Sequence, residues 1–194
     1  MGYPETLEVL ARLHVDACFR QDFLKDAKGA LANYALTPRE RDGLAGADPV
    51  VVERAGRMLD GHRVARVNEH LPWAHPGLRP NLMPVLRSFM QDVLPEVLNR
   101  EEAIAFCRYL EARPRGDLPA YVAEVARCER LRIALAWGLE PMMGPKQVES
   151  FEYPVLEVLS ALEKPGWPEV APRPSRVEYL KVPGLPAVMV SAAP

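Results

Sequence analysis

The chain has 194 residues, 24 Lys and Arg against 26 Asp and Glu, and 48% apolar residues. That length fits one average domain or two small ones, and the composition excludes a disordered chain. No apolar run approaches the ~20 residues that cross a bilayer, the opening with Glu5 and Glu8 is unlike a secretory leader, and a net charge of −2 gives no electrostatic case for nucleic acid.

Leu7, Leu10, Ala11 and Leu13 recur at helical spacing. Phe19, Phe23 and Leu24 repeat the pattern, followed by Ala27, Leu31 and Tyr34. Thr37-Pro38-Arg39-Glu40 predicts a capping box: the Thr37 hydroxyl accepts from a third-position N–H, Glu40 reaches back, and Pro38 stands where a missing N–H costs nothing. The spacing predicts a helix to about Ala45 and another opening at Asp48-Pro49. The second carries an apolar stripe of Val51, Val52, Ala55, Met58, Leu59, His62 and Ala65 opposite Arg54, Arg57, Arg63 and Arg66. It ends at Leu71, because Pro72 disfavours helical geometry in the residue before it. Pro72–Gly77 reads as a tight connection.

Helical spacing continues over 80–94, and again from Asn99 through Leu110 until Arg113-Pro114-Arg115-Gly116 stops it. Asp117-Leu118-Pro119 opens a helix that runs to Trp137, with Gly138 as its stop. The wide apolar stripe of that helix marks it as central. Half of the 20 prolines lie from Pro141 onward. There Val148–Tyr153 alternates as a half-buried strand, Pro154 opens a short helix over 155–162, and Pro165–Pro174 is a loop. Val177–Val182 and Ala187–Ser191 read as two further strands joined by the Pro183-Gly184-Leu185-Pro186 turn. The fold class expected is α+β: a helical body over 1–140 and a small β-α-β-β domain over 147–194.

No phosphate-binding loop, dinucleotide fingerprint, zinc-protease motif or nucleophile elbow is present in the sequence. Cys18, Cys107 and Cys128 have neither the spacing of a zinc module nor that of a disulfide framework. They read as small buried residues of a chain in the reducing cytoplasm. His62 and His70 lie two helical turns apart, ~12 Å by the helical rise, too far for one metal ion. His70 and His75 could approach through the Pro72 turn, but solvated decoration is the simpler reading. The expectation is therefore no catalytic residue, no metal and no cofactor. Arg54, Arg57, Arg63 and Arg66 form a basic stripe, either a solvated face or a surface for an acidic protein partner. The terminal sheet offers exposed edges that an extended peptide could join by main-chain pairing.

Three segments in this order resemble the HvfC/BufC-type partner proteins of multinuclear non-heme iron oxidative enzymes, which modify ribosomally made peptides. The first spans Leu7–Asp48. The second runs from Leu71-Pro72 and Gly77 through Phe89, Glu102-Ala103, Phe106 and Tyr109-Leu110 to Leu118-Pro119, Glu124, Ala126 and Glu129. The third is Phe151-Glu152-Tyr153-Pro154-Val155 with the short helix and hairpin that follow. The chain departs from that pattern at Arg130-Leu131, where the family carries an aromatic residue. The resemblance implies a helical domain that docks on the iron enzyme and a C-terminal domain that holds the precursor's leader segment. The iron ligands would belong to the enzyme. It implies a peptide-binding edge near Tyr153, Val155, Leu159 and Tyr179. The partners expected are the iron enzyme and the precursor peptide, with no membrane and no nucleic acid. Two other readings stand beside it: a helical DNA-binding regulator using the 48–71 arginines, and a small subunit of a ring-opening dioxygenase, from Leu36-Thr37 and Glu40.

Overall fold

The computed structural model describes residues 3–112, 118–142 and 144–194. The turn expected at 113–117 lies outside them. The chain is α+β, helical at first and closing with a small antiparallel sheet. It divides into two compact units, one made of 1–65 with 87–95, the other of 66–86 with 96–194.

The first unit begins with α1 (Tyr3–Val15), α2 (Ala17–Lys25), α3 (Ala27–Ala30) and α4 (Pro38–Ala45). Val9 and Leu13 of α1 meet Phe19 and Phe23 of α2 and the loop residues Leu31 and Leu36, and these form its core. Three of these helix starts have a local cause. Asp16 caps α2 by accepting the Phe19 N–H at 2.9 Å, and Asp26 caps α3 through the Gly29 N–H at 3.0 Å. The capping box expected at α4 forms in full: Glu40 N–H donates to the Thr37 hydroxyl, and Thr37 N–H donates to the Glu40 carboxylate at 2.9 Å. Burial pulls the Asp16 carboxyl up, but the Phe19 N–H and Arg12 outweigh it and hold it below the ordinary carboxylate range. The long helix α5 (Pro49–His70) contributes its first 17 residues to this unit, and α6 (Met83–Asp92) contributes its C-terminal half.

The second unit is built on α7 (Asn99–Ala112) and α8 (Val122–Trp137). Ala103, Ile104, Phe106, Cys107 and Leu110 of α7 are buried, as are Val125, Ala126, Leu131, Ile133 and Leu135 of α8. α8 is buried on most of its circumference, as its broad stripe predicts, and Gly138 ends it in the left-handed region at φ 68°. Strand β1 (Lys146–Phe151), helix α9 (Val155–Ala161) and strands β2 (Ser175–Lys181) and β3 (Val188–Ala192) follow, within two residues of the expected bounds. The sheet order is β1-β2-β3, with both pairings antiparallel. Val177 and Tyr179 of β2 face inward, and the sheet and α9 pack on α8.

The proline-rich loop after α9 is fastened rather than loose. Trp167 Nε1 donates to Asn81 Oδ1 at 2.7 Å, and the Tyr121 hydroxyl donates to the Pro168 carbonyl at 2.8 Å. Beneath it the fully buried Arg79 donates to the carbonyls of Leu162 at 2.6 Å and Lys164 at 2.8 Å. No helix among the described residues is long and apolar enough to cross a membrane.

Candidate functional site

The sheet is anchored on one side and open on the other. The Tyr179 hydroxyl lies 3.2 Å from the Cys128 carbonyl oxygen, deep against α8. Burial first, and then the neighbouring thiol, drive that phenol far above its ordinary pKa, so it is a structural donor and not an acid. The Glu124 carboxylate accepts the N–H groups of Glu152 and Tyr153, each at 2.9 Å, and fixes the corner after β1. Arg127 lies 4.4 Å over the Phe151 ring and donates to the Ser150 carbonyl. Ser150 is one of the β1 residues whose main chain points away from β2, so α8 already occupies part of that edge.

The edge of β3 is different. Val182 N–H donates to Ala187 O at 3.0 Å and Ala193 N–H to Arg176 O at 2.9 Å, which fixes the alternation between them. Ala187, Met189, Ser191 and Ala193 turn their main-chain groups toward β2. Val188, Val190 and Ala192 turn theirs outward, and no described segment pairs with them. Met189 stands on the outer face beside its cross-strand neighbour Leu180, 62% and 38% exposed. The devices that block an open edge, an internal proline, a bulge or an inward charge, are missing from Val-Met-Val-Ser-Ala. Proline stands just outside it, at Pro186 and Pro194. On the neighbouring strand Arg176 donates to the Pro194 oxygen at 3.1 Å, and Lys181, at the other end of that strand, is exposed. Chemically the arrangement offers main-chain pairing to an extended segment, an apolar contact at Met189 and Leu180, and an exposed cation at Lys181.

Of the side chains expected near that edge, Val155 and Tyr179 are fully buried, Tyr153 is buried at 7% exposure, and Leu159 is half-buried. Three of the four are interior, and Leu159 alone is partly accessible. Tyr153 packs edge-on against Tyr121 at 6.0 Å between ring centroids. Strand alternation places Tyr179 on the inner face, while Val155 and Leu159 belong to α9 and Tyr153 to the bend before it. The outer-face residues Met189 and Leu180 are the ones a peptide would meet. They are set by the β2–β3 register, which puts Met189 opposite Leu180.

The arginine stripe divides as well. Arg54 and Arg57 are exposed, and Arg57 makes only a 3.8 Å contact to the exposed Glu53. Arg63 is buried, donating to the carbonyls of Met90 at 3.1 Å and Val93 at 2.9 Å with its guanidinium over Phe89. Arg66 donates to the Glu96 carbonyl. The inner face of α5 is turned from the expected one. Gly56 and Arg63 are buried, while Val50, Val51 and Met58 are exposed, Met58 at 63%. The reason is Arg20: its guanidinium covers Gly56 so closely that a Cβ there would fall 2.2 Å from Nε. A face built on glycine and arginine carries no apolar signature. The exposed face of α5 thus presents Val51 and Met58 with Arg54 and Arg57, an apolar strip flanked by cations.

Among the described residues no three His, Cys, Asp or Glu side chains gather as a metal site. His62 is exposed, and His75 Nδ1 accepts the Gly77 N–H at 3.0 Å. Burial holds the Cys107 thiol well above its ordinary pKa and pushes Cys128 up to about 11, so both stay protonated at neutral pH. Arg130, standing where the resembled family has an aromatic, pairs with Glu111 at 2.7 Å and with Glu140. In comparisons with known proteins, no family model, no curated protein and no solved structure matches the chain.

Proposed function

We propose that this chain is a non-catalytic, cytoplasmic adaptor. It binds a non-heme iron oxidative enzyme and presents a ribosomally made precursor peptide to it. The observation that carries the reading is the unpaired outer edge of β3, with Val188, Val190 and Ala192 offering main-chain groups beside exposed Met189 and Leu180. The likeness of Leu118–Glu129 and Phe151–Val155 to partner proteins of such enzymes supports it. So does the presence of one protein-binding type of surface in each unit: the sheet edge in the second, and the Arg54, Arg57, Val51 and Met58 face of α5 in the first. The leader segment would add a strand beside β3, with an apolar residue next to Met189 and an acidic residue near Lys181. The effect on rate is one of proximity: a tethered leader raises the concentration of the core peptide at the enzyme. A DNA-binding reading draws less from the molecule, since Arg63 and Arg66 are engaged by main-chain carbonyls.

The test uses the full chain with the products of its neighbouring genes, which the reading predicts to include a non-heme iron oxidative enzyme and a short precursor peptide. Val190→Pro removes an N–H that points out of the sheet, so the substitution suits an edge strand. The reading predicts that this variant keeps its fold and its grip on the enzyme but loses the peptide by tenfold or more. Arg54→Glu with Arg57→Glu should do the reverse. Peptide binding unchanged in Val190→Pro, or no complex with the enzyme, contradicts the proposal.

A further inference from the structure

Helix α5 has two glycines in its interior, and the chain itself explains one of them. Gly56 is buried beneath the Arg20 guanidinium, which leaves no room for a Cβ. Gly61 is exposed, and a Cβ there would meet nothing within 4 Å. Glycine weakens a helix interior relative to alanine, because it has more conformational freedom to lose. Nothing within the first unit requires residue 61 to lack a side chain.

Gly61 belongs to one continuous exposed face. Val51, Arg54, Met58, Gly61 and Ala65 follow one another along it in steps of three and four residues, with Arg57 beside them, and all six are exposed. No carboxylate stands within the face. Glu53 lies at its margin, 3.8 Å from Arg57, and Asp60 is turned away to Arg20 at 3.1 Å. Arg54 has no ion pair among the described residues. A chain of net charge −2 thus carries here a face whose only full charges are positive. These features state what fits. The guanidiniums call for carboxylates. Val51 and Met58 call for apolar side chains, which a phosphate backbone does not supply. Gly61 and Ala65, one turn apart, lower the surface so that another backbone can come close. A helix with acidic residues beside an apolar stripe meets all three requirements at once.

We infer that the exposed face of α5 is a docking seam for an acidic amphipathic helix of a partner protein, which crosses α5 over Gly61. On the adaptor reading, on which this rests, that helix belongs to the oxidative enzyme.

The test measures the affinity of the full chain for the oxidative enzyme that the adaptor reading predicts among its neighbouring gene products. Gly61→Leu should weaken the complex at least tenfold while the urea midpoint holds or rises, because leucine is the better helix former and finds open space there. Gly61→Ala should raise the midpoint with a smaller loss of affinity. Gly43→Leu, at a glycine of α4 that is equally open, should leave the affinity unchanged. Rising salt should weaken the wild-type complex, and weaken that of Arg54→Gln with Arg57→Gln less. A p-benzoylphenylalanine placed at Val50, on the margin of the face, should cross-link to a helix of the enzyme that carries Asp or Glu beside apolar residues. A complex indifferent to Gly61→Leu overturns the proposal and leaves the adaptor reading standing, as does a cross-link to a basic or non-helical segment. No complex with the wild-type chain overturns both. Binding of a DNA duplex or of anionic vesicles, abolished by Arg54→Glu with Arg57→Glu while the enzyme still binds, would assign the face to phosphate and overturn the proposal equally.

Discussion

Arg20, Arg41, Arg63, Arg79 and Arg132 share one task. Each donates to main-chain carbonyls at or just beyond the C-terminal end of a helix: Arg20 to Leu13 and His14, Arg41 to Leu31 and Tyr34, Arg63 to Met90 and Val93, Arg79 to Leu162 and Lys164, Arg132 to His70. The last carbonyls of a helix lack partners within it and carry partial negative charge, and a guanidinium meets two at once. Arg79 shows the cost: fully buried without a carboxylate, its pKa is pulled down by desolvation, yet its carbonyl partners would otherwise be unsatisfied. Arg79→Met should therefore destabilise the chain by about 3 kcal/mol, and Gly56→Ala, which collides with Arg20, by about 2 kcal/mol. Arg57→Ala, on an exposed side chain, should lie within ~0.5 kcal/mol of wild type. Urea unfolding of the three variants checks the order, and equal losses would contradict it. None of this was legible in the sequence. Periodicity assigns arginine to water, and a guanidinium that caps a distant helix leaves no local trace. That is why the stripe on α5 misread Arg63 and Arg66.

At the scale of elements the sequence was far more informative, because caps and strand alternation are local. Thr37-Pro38-Arg39-Glu40 gave α4, Gly138 ended α8, and the alternations after Pro141 gave all three strands. The same caps set a pH dependence. Asp16 and Glu40 are both held below the ordinary carboxylate range: Asp16 by the Phe19 N–H and Arg12 against burial, Glu40 by the Thr37 hydroxyl and N–H. A carboxyl whose pKa is lower folded than unfolded gives stability that is complete above the unfolded value and lost as pH falls through the folded one. The urea midpoint should thus hold steady above about pH 5 and fall as pH drops through and below ~4. Asp16→Asn, which keeps an oxygen for the Phe19 N–H, should lower the neutral-pH midpoint and flatten part of that decline. A steeper acid decline in Asp16→Asn would contradict the assignment.

For the whole molecule, the proposed function rests on surfaces and not on a reactive centre. Tyr179, which the resemblance put near a peptide-binding edge, is buried and bonded to the Cys128 carbonyl. The open edge depended on knowing which strand ends the sheet, a property of topology that no residue records. Peptide capture on that edge can be read amide by amide. Hydrogen exchange of the full chain should show Val188, Val190 and Ala192 exchanging fast alone, and all three slowing together when the short precursor peptide that the proposal predicts among the neighbouring genes is added. The amides of Met189 and Ser191, already directed toward β2, should change little. Peptide binding that leaves Val188, Val190 and Ala192 unprotected would contradict the account.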